Sequence, residues 1–426
     1  MKENSSKLSF ILVLICFLLI FTESVKADDT GHEYKFFVSI CKTGKGDYNL
    51  FEPEGMCFSN DGRMLALTDT HNNRVKLYSV DPSLLASIPL RLEMIYGDLW
   101  PWDNRVLPGD SNDRYREDDY LSSRYPAPNY LYGRAYQHGQ SRIRPAEKIP
   151  MDHFNLPVGV GWIKNDTILV CDTGNHRIKA LKLNGEVSFI LGQEGWKDGY
   201  FHHPLSVDTD CAGRIYVAEP RGNYLRDFPL DWGQRMRVQG NRIQIFDTNL
   251  RPSQRLGHMH HMSGRDYKQF KNLTRVWVDA NGDIYVADNG NHRILVFENN
   301  MTIKEEIIKW EGYTMRYPNS FDVAKNGWMA IADTGNHKIL ILDEKRELRQ
   351  IIGGFGASNG KFIRPHDVRF GPNGDLYVLD TGNGRIQIFK GMYIPEQFPR
   401  CPEPEPVQPV KKLKKKLPKT KPKDSY

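Results

Sequence analysis

Short runs of β-branched and aromatic residues alternate with turn residues along most of the chain. In the clearest example, residues 284–287 and 294–297 are two apolar runs separated by the six residues Asp-Asn-Gly-Asn-His-Arg. Runs of this length and composition are typical of β-strands. Asp288 is predicted to open an Asx-type turn, and Gly290 and Asn291 are predicted to take the left-handed conformations of a sharp reversal. The stretch therefore predicts a β-hairpin.

The same hairpin pattern occurs six times. Four further copies are clear and a fifth is degenerate because its turn is interrupted; they span residues 65–78, 168–181, 329–342, 376–389 and, for the degenerate copy, 215–246. Each copy follows a lead-in segment with an aromatic residue and usually a proline, as in Phe362-Ile-Arg-Pro365, and every copy except the last precedes another strand. Four short antiparallel strands in about 45 residues are the period of a propeller blade.

These residues carry a family resemblance. The lead-in Phe-x-x-Pro, the strand Gly-x-Ile-Tyr-Val-Ala-Asp and the turn Asn-His-Arg-Ile resemble the NHL repeat, whose family folds as a six-bladed β-propeller. The resemblance extends over about residues 33–390, with six copies in register. It implies an all-β fold with a single closed ring rather than several domains.

The two ends of the ring are predicted to pair. Residues 33–41 form a lone strand without a hairpin partner nearby, whereas the sixth copy stops after Phe389 without an outer strand. Pairing the N-terminal strand with the last blade would close the ring and remove an exposed sheet edge. We expect this pairing to bring Cys41 near the chain end, where a bridge to Cys401 could form.

The flanks of the ring predict export from the cell. Residues 1–27 have the charged start, apolar run and small-residue cleavage site of a secretory signal, and the apolar run is too short for a comfortable bilayer crossing. The predicted domains are this signal, a propeller at 28–400 with insertions at 100–150 and 223–241, and a Pro/Lys-rich tail without a core pattern at 401–426. Three glycosylation triplets fit a secreted protein, beginning at Asn165, Asn272 and Asn300. Five cysteines follow the signal, so at most two bridges can form.

The charge is concentrated in the tail. Eight lysines against three acidic residues give the tail +5, and the first 27 residues carry +1 of the formal +6, so the segment between them is neutral. A neutral ring lacks the basic surface that drives nucleic-acid binding, and we predict no nucleic-acid partner. The tail is interpreted either as a tether to an anionic lipid, glycan or matrix or as a solvated end.

Propeller topology sorts the loops by face. Because strands alternate in direction, the lead-in segments and the turns between second and third strands lie on one face, here named the upper face; the opposite one is the lower face. Both insertions fall on the upper face, and the first is rich in Tyr and Arg, residues that dominate binding hot spots. An insertion that only packs over the ring is the alternative. The predicted ligand-binding residues are Tyr115, Tyr120, Arg124, Tyr130, Tyr132 and Arg134, with Glu54 and His366 at the channel mouth.

Histidines also concentrate on the upper face. Those of the hairpin turns, such as His176 and His292, are interpreted as part of the repeat. His258 and His260 have a spacing that can chelate zinc or copper in an extended chain, although solvated histidines remain the alternative. The candidate metal ligands are His366, Asp367, His202, His203, His258 and His260. No cofactor is required by the sequence, and zinc and calcium are the metals left open.

An enzymatic role has to be considered because secreted NHL propellers include the peptidyl-α-hydroxyglycine α-amidating lyases. In that family three histidines, each following a lead-in proline, bind zinc. Here only Pro365-His366 matches; the equivalent positions hold Glu54, Val158, Leu205, Thr274 and Asn319, and the family's tyrosine is also missing. We therefore assign no catalytic residue. The favoured hypothesis is a secreted binding or scaffold module for an extracellular protein, glycan or small ligand, and the alternative is a lyase of the amidating type with a rebuilt zinc site.

Overall fold

The computed structural model describes residues 33–80, 90–96, 153–195, 197–220, 241–257, 269–391 and 401. The predicted signal, both insertions except Asn241, and the tail beyond Cys401 lie outside these residues. The described residues form strands joined by short turns, several of them 3₁₀ turns. Within them no helix has the length and apolarity that a bilayer crossing requires.

Six four-stranded antiparallel sheets confirm the predicted six-bladed β-propeller. Blade 1 consists of β2 (Met56–Phe58), β3 (Met64–Asp69), β4 (Arg74–Val80) and β5 (Leu90–Tyr96). Blade 2 consists of β6 (Pro157–Ile163), β7 (Thr167–Asp172), β8 (Arg177–Lys182) and β9 (Val187–Leu191). Blade 3 consists of β10 (Ser206–Thr209), β11 (Ile215–Glu219), β12 (Arg242–Phe246) and β13 (Pro252–Leu256). Blade 4 consists of β14 (Leu273–Val278), β15 (Ile284–Asp288), β16 (Arg293–Phe297) and β17 (Ile303–Ile307). Blade 5 consists of β20 (Pro318–Val323), β21 (Met329–Asp333), β22 (Lys338–Leu342) and β23 (Leu348–Gly353). Blade 6 consists of β24 (Pro365–Phe370), β25 (Leu376–Asp380), β26 (Arg385–Lys390) and β1 (Lys35–Ile40). The first strand of each blade lines the central channel, and the fourth lies at the rim.

The N-terminal strand closes the ring as predicted. β1 pairs antiparallel with β26, with Lys35 opposite Lys390 and Ile40 opposite Ile386. The sixth sheet therefore combines the start of the described chain with its last three strands, and no blade is left without an outer strand.

The core is divided among the junctions between blades. The described residues form six hydrophobic clusters, and each cluster combines residues of two neighbouring blades. In one of them Tyr377 of blade 6 packs edge-on against Phe58 of blade 1. Both surfaces of each inner strand are covered by a neighbouring blade, so strands such as β15 and β25 are buried at every position. Continuous apolar runs in place of strict alternation are the expected result.

A short hairpin, which the repeat pattern did not predict, lies between blades 4 and 5. It consists of β18 (Lys309–Trp310) and β19 (Tyr313–Thr314). The indole N–H of Trp310 donates to the carbonyl of Arg346 at 2.7 Å, and the Tyr313 hydroxyl donates to Asp333 at 2.6 Å. In blade 5, Lys338 occupies the position that arginine fills in other turns, and Tyr313 supplies the donor to the buried carboxylate.

The predicted Cys41–Cys401 bridge is wrong, because Cys401 is bonded to Cys211 with Cα atoms 5.3 Å apart. The antiparallel pairing of β1 with β26 places Cys41 at the upper end of blade 6, whereas β26 ends at Lys390 on the lower face. A strand of six residues spans about 20 Å, so the chain leaves the ring far from Cys41. Cys41 is a free, partly buried thiol whose Sγ lies 3.9 Å from the Tyr78 hydroxyl.

Candidate functional site on the upper face and in the channel

Each hairpin turn on the upper face is held by a buried carboxylate. In blade 4, Asp288 accepts the backbone N–H of Lys271 at 2.7 Å and bonds from the side chains of Asn291 and Arg293, both at 2.8 Å. The bond therefore reaches back to the lead-in segment of the same blade. Asp288 makes no capping bond within its own turn, so the predicted Asx-type turn is wrong. The equivalent carboxylates that bond a lead-in N–H are Asp69, Asp172, Glu219, Asp333 and Asp380.

The left-handed residue of the turn is the histidine, not the glycine. Asn289–Asn291 form a 3₁₀ turn, and His292 follows it with φ of 58°. Gly290 is required for a different reason: its N–H donates to the Lys271 carbonyl at 2.7 Å, and a Cβ atom would stand 2.7 Å from the same oxygen. The prediction that Gly290 and Asn291 adopt left-handed conformations is therefore wrong.

The left-handed residue links its blade to the next one. The Nδ1 atom of His292 accepts the backbone N–H of Tyr317, in the lead-in segment of blade 5, at 3.0 Å. The same bond, from a lead-in backbone N–H to the side chain of the left-handed residue, recurs at four further junctions. The acceptor and donor residues are Asn73 and Leu156, His176 and His203, Asn241 and Asn272, and His337 and Arg364. Asparagine and histidine thus serve the same purpose, because each offers one side-chain acceptor at that position. The interpretation of turn histidines as part of the repeat agrees with these contacts.

The upper mouth of the channel holds the predicted pair Glu54 and His366. The Nδ1 atom of His366 lies within hydrogen-bond distance of a Glu54 carboxylate oxygen, and both side chains are buried. The side chain of Asn319 donates to the backbone carbonyl of His366 at 3.2 Å. Among the described residues, no set of three possible metal ligands forms around His366.

The carboxylate of Asp367, the other candidate ligand in this segment, is hydrogen-bonded inside the channel. Its carboxylate accepts the backbone N–H of Met56 at 2.8 Å, the hydroxyl of Ser320 at 2.6 Å and the guanidinium of Arg369 at 2.8 Å. It therefore ties blades 1, 5 and 6 together inside the channel. Among the described residues the structure does not bring His366 and Asp367 together with the candidate ligands His202 and His203, because the two pairs belong to different blade junctions.

A second arginine, Arg275, enters the same channel from blade 4. Its residue is only 5% exposed, and its Nε and Nη2 atoms have no hydrogen-bond partner among the described residues. Burial and the neighbouring Arg369 lower the pKa of Arg275, while Asp367 and Asp208 act in the opposite direction. Such an unpaired buried donor is uncommon in proteins and costs stability.

Three histidines come together where blade 2 meets blade 3. His202 and His203 precede the first strand of blade 3, and His176 ends the turn of blade 2; one ring nitrogen from each lies within 4.8 Å of the others. His202 and His203 are among the metal ligands predicted from the sequence, whereas His176 is predicted only as part of the repeat. The signal that could have found it is topological, since every left-handed turn residue faces the lead-in segment of the next blade. His258 and His260 lie outside the described residues.

The lower face contains a cavity of about 420 Å³ at the mouth of the channel. It is lined by the lower ends of the first strands, including Trp162 and Trp277, and by Cys401. The backbone N–H of Cys401 donates to the Asn60 side chain at 2.7 Å, so the residue is held by blade 1 as well as by its disulfide to blade 3. The described cavity thus lies opposite the face that the sequence favoured for binding.

The six predicted ligand-binding residues of the first insertion lie outside the described structure; they are Tyr115, Tyr120, Arg124, Tyr130, Tyr132 and Arg134. The glycosylation triplets are described. Asn165 and Asn300 are exposed in loops of the lower face, whereas Asn272 is partly buried in a lead-in segment of the upper face. Attached glycans at the first two would leave the upper face uncovered.

Comparison with known proteins supports the repeat assignment. The sequence profile of the NHL repeat matches residues 154–181, 270–297 and 362–389, which lie in blades 2, 4 and 6. Among solved structures the chain is similar to the crystal structure of the WD40 beta propeller domain of Doa1, with a TM-score of 0.44 and 13% sequence identity over 85% of this chain and 97% of that one. None of the curated proteins matches the chain. The chain contains NHL repeats in a six-bladed propeller.

Proposed function

We propose that this protein is a secreted, non-enzymatic binding module that holds an extracellular partner on its upper face. The observation that carries the proposal is the position of the three longest connections outside the described structure. Residues 97–152, 221–240 and 258–268 each join the ring on the upper face, because β5, β11 and β13 all end there. Long connections gathered at one face of a rigid scaffold commonly carry recognition.

The lower face is less suited to a large partner. Cys401 is fixed across the channel mouth between blades 1 and 3, and the exposed acceptor residues Asn165 and Asn300 lie on this face. A disulfide between residues 190 positions apart also supports secretion, because such bonds persist in oxidising compartments. The signal-like residues 1–27 support the same location.

The composition of the first insertion indicates the partner's chemistry. Tyrosine and arginine supply rigid aromatic area and multidentate hydrogen bonding, which suit a protein surface or a glycan better than a deep apolar ligand. The neutral ring argues against nucleic acid. An amidating lyase of the family's type would need several histidines after the lead-in prolines. In the described lead-in segments His366 alone follows such a proline, and it contacts Glu54; this supports our proposal of binding rather than catalysis.

The test compares the full chain with a variant in which residues 100–150 are replaced by a short Gly-Ser link. Both are applied to an array of extracellular proteins and glycans, and thermal unfolding confirms that the ring still folds. We expect at least one array member to bind the full chain and to lose binding in the deletion variant. A chain that ends after Cys401 is the matched control and should keep that binding.

Two results would contradict the proposal. Binding that survives the deletion would place the partner elsewhere, and binding lost only with residues 402–426 would assign recognition to the basic tail.

Secretion is tested separately by expression in cultured animal cells. We expect the chain in the medium, with retention inside the cell when residues 1–27 are removed; retention of the full chain would refute the location.

A further inference from the structure

The cluster of His176, His202 and His203 contains more histidines than the repeat requires. The ring centroids lie 4.3 to 4.8 Å apart, and the Nδ1 atoms of His202 and His203 are separated by 2.8 Å. His202 is 1% exposed, and the other two are partly buried. Three imidazoles this close form a nitrogen-rich site at one blade junction.

Of the three rings, that of His176 makes a hydrogen bond that recurs at other blade junctions. His176 accepts the backbone N–H of His203 through Nδ1 at 3.1 Å, as His292 and His337 do for their own junctions. That bond leaves Nε2 of His176 as the nitrogen for any further ligand. This bond between blades therefore accounts for a histidine at position 176, but it does not require histidine side chains at positions 202 and 203.

The other histidine junctions show what the repeat needs. Next to His292 the two lead-in residues are Arg316 and Tyr317, and next to His337 they are Ile363 and Arg364. These junctions form the same backbone bond without a second or third imidazole. A turn histidine beside a His-His lead-in is thus a property of the blade 2 to blade 3 junction among the described residues.

We propose that His176, His202 and His203 bind a divalent transition metal of the zinc class at the upper end of the blade 2 to blade 3 junction. Three neutral nitrogen donors suit zinc, copper or nickel, whereas calcium requires oxygen ligands. Three protein ligands leave one coordination position of a tetrahedral ion for water or for an incoming group. The backbone N–H of His202 donates to Glu219 at 2.8 Å, which fixes the segment that carries two of the ligands. The inference is independent of the proposed partner binding.

The repeat itself supplies a variant that separates metal binding from folding. Asn73 and Asn241 perform the junction duty of the turn histidine, accepting the N–H of Leu156 at 2.7 Å and of Asn272 at 2.9 Å. His176→Asn should therefore keep the bond to the next blade while removing one metal ligand. His292→Asn makes the same exchange at a junction without additional histidines and is the matched control.

The experiment titrates Zn²⁺ into chelator-treated full chain by calorimetry and repeats the titration with Co²⁺, whose visible absorption reports low-coordinate nitrogen ligation. We expect His176→Asn to weaken one Zn²⁺ site by about 100-fold or more, since even outer-shell changes cost 10–100-fold. His292→Asn should retain that site, its cobalt spectrum and its rise in melting temperature with Zn²⁺. His203→Asn is a second variant and should lose the same site.

Equal Zn²⁺ binding by His176→Asn and His292→Asn would overturn the proposal. So would a wild-type chain that shows no Zn²⁺ site and no cobalt absorption. The melting temperatures of the metal-free variants should match, which excludes misfolding as the cause of a lost site. Because the array experiment does not involve these histidines, failure of either proposal can be told apart from failure of the other.

Discussion

Replacing Arg275 by methionine should make the protein more stable, although it removes a charged residue from the channel. Arg275 is buried, and its Nε and Nη2 atoms find no partner among the described residues. A buried donor without a partner costs about 1–3 kcal/mol. Methionine has nearly the same length and no hydrogen-bond donor, so the substitution removes the cost of both unpaired nitrogens without leaving a large cavity.

The gain is partly offset by a lost attraction. Asp367 and Asp208 both favour the charged form of Arg275, but each carboxylate has other partners, Arg369 and the backbone N–H of Val278 respectively. Replacing buried charges by apolar residues is often neutral or stabilising by about 1–4 kcal/mol. We therefore expect Arg275→Met to raise the free energy of unfolding by about 2 kcal/mol.

The matched control is Arg369→Met in the same channel. Arg369 donates to Asp367 at 2.8 Å and to the Phe321 carbonyl at 3.1 Å, so its loss leaves a buried carboxylate without the guanidinium that is hydrogen-bonded to it. Removing one partner of a buried pair typically costs about 3–5 kcal/mol. Urea unfolding followed by tryptophan fluorescence should thus give changes of opposite sign for the two variants. A loss of stability in Arg275→Met as large as that in Arg369→Met would refute the reasoning and would show that a bound anion or water satisfies Arg275.

Two further predictions concern pH and the disulfide. Burial lowers the pKa of His337 to about 4 from 6.5, so its contribution is complete above pH 6.5 and is lost as pH falls towards 4. Between pH 7 and 4 the wild type should lose about 3 kcal/mol more than His337→Asn, which keeps the acceptor for Arg364; parallel urea midpoints for the two proteins would contradict this. Cys401→Ser should lower the free energy of unfolding by about 2–4 kcal/mol, whereas Cys41→Ser should have little effect, and non-reducing peptide mapping should find Cys211 linked to Cys401. A mapped bridge to Cys41 would be the opposing result.

Much of the fold was readable from the chain because the repeat is local. Each hairpin except that of blade 3 lies within about twenty consecutive residues, and its apolar runs and turn residues predict it without knowledge of any neighbour. The count of six blades follows from counting hairpins. The closure of the ring by residues 33–41 was also predictable, because a lone strand and a blade without an outer strand have one economical solution.

Errors arose where a residue acts beyond its own hairpin turn. Asp288 looked like a turn opener in sequence, but its acceptors serve the lead-in segment 17 residues earlier, and His292 serves the next blade. The disulfide prediction was wrong because neighbouring strands in a sheet were taken to have neighbouring ends. Antiparallel pairing puts Cys41 and the end of β26 at opposite faces.

The all-β class and the number of blades follow from the amino-acid sequence alone, because hydrogen bonding within a hairpin depends on residues close together in the chain. Which side chains meet at the junctions and inside the channel depends on the three-dimensional packing of the blades. His176 joins His202 and His203, and Arg275 remains without a hydrogen-bond partner for its Nε and Nη2 atoms among the described residues, because ring closure sets the angle and height of each blade against the next. Those distances depend on the packing of all six sheets and are encoded in no single repeat.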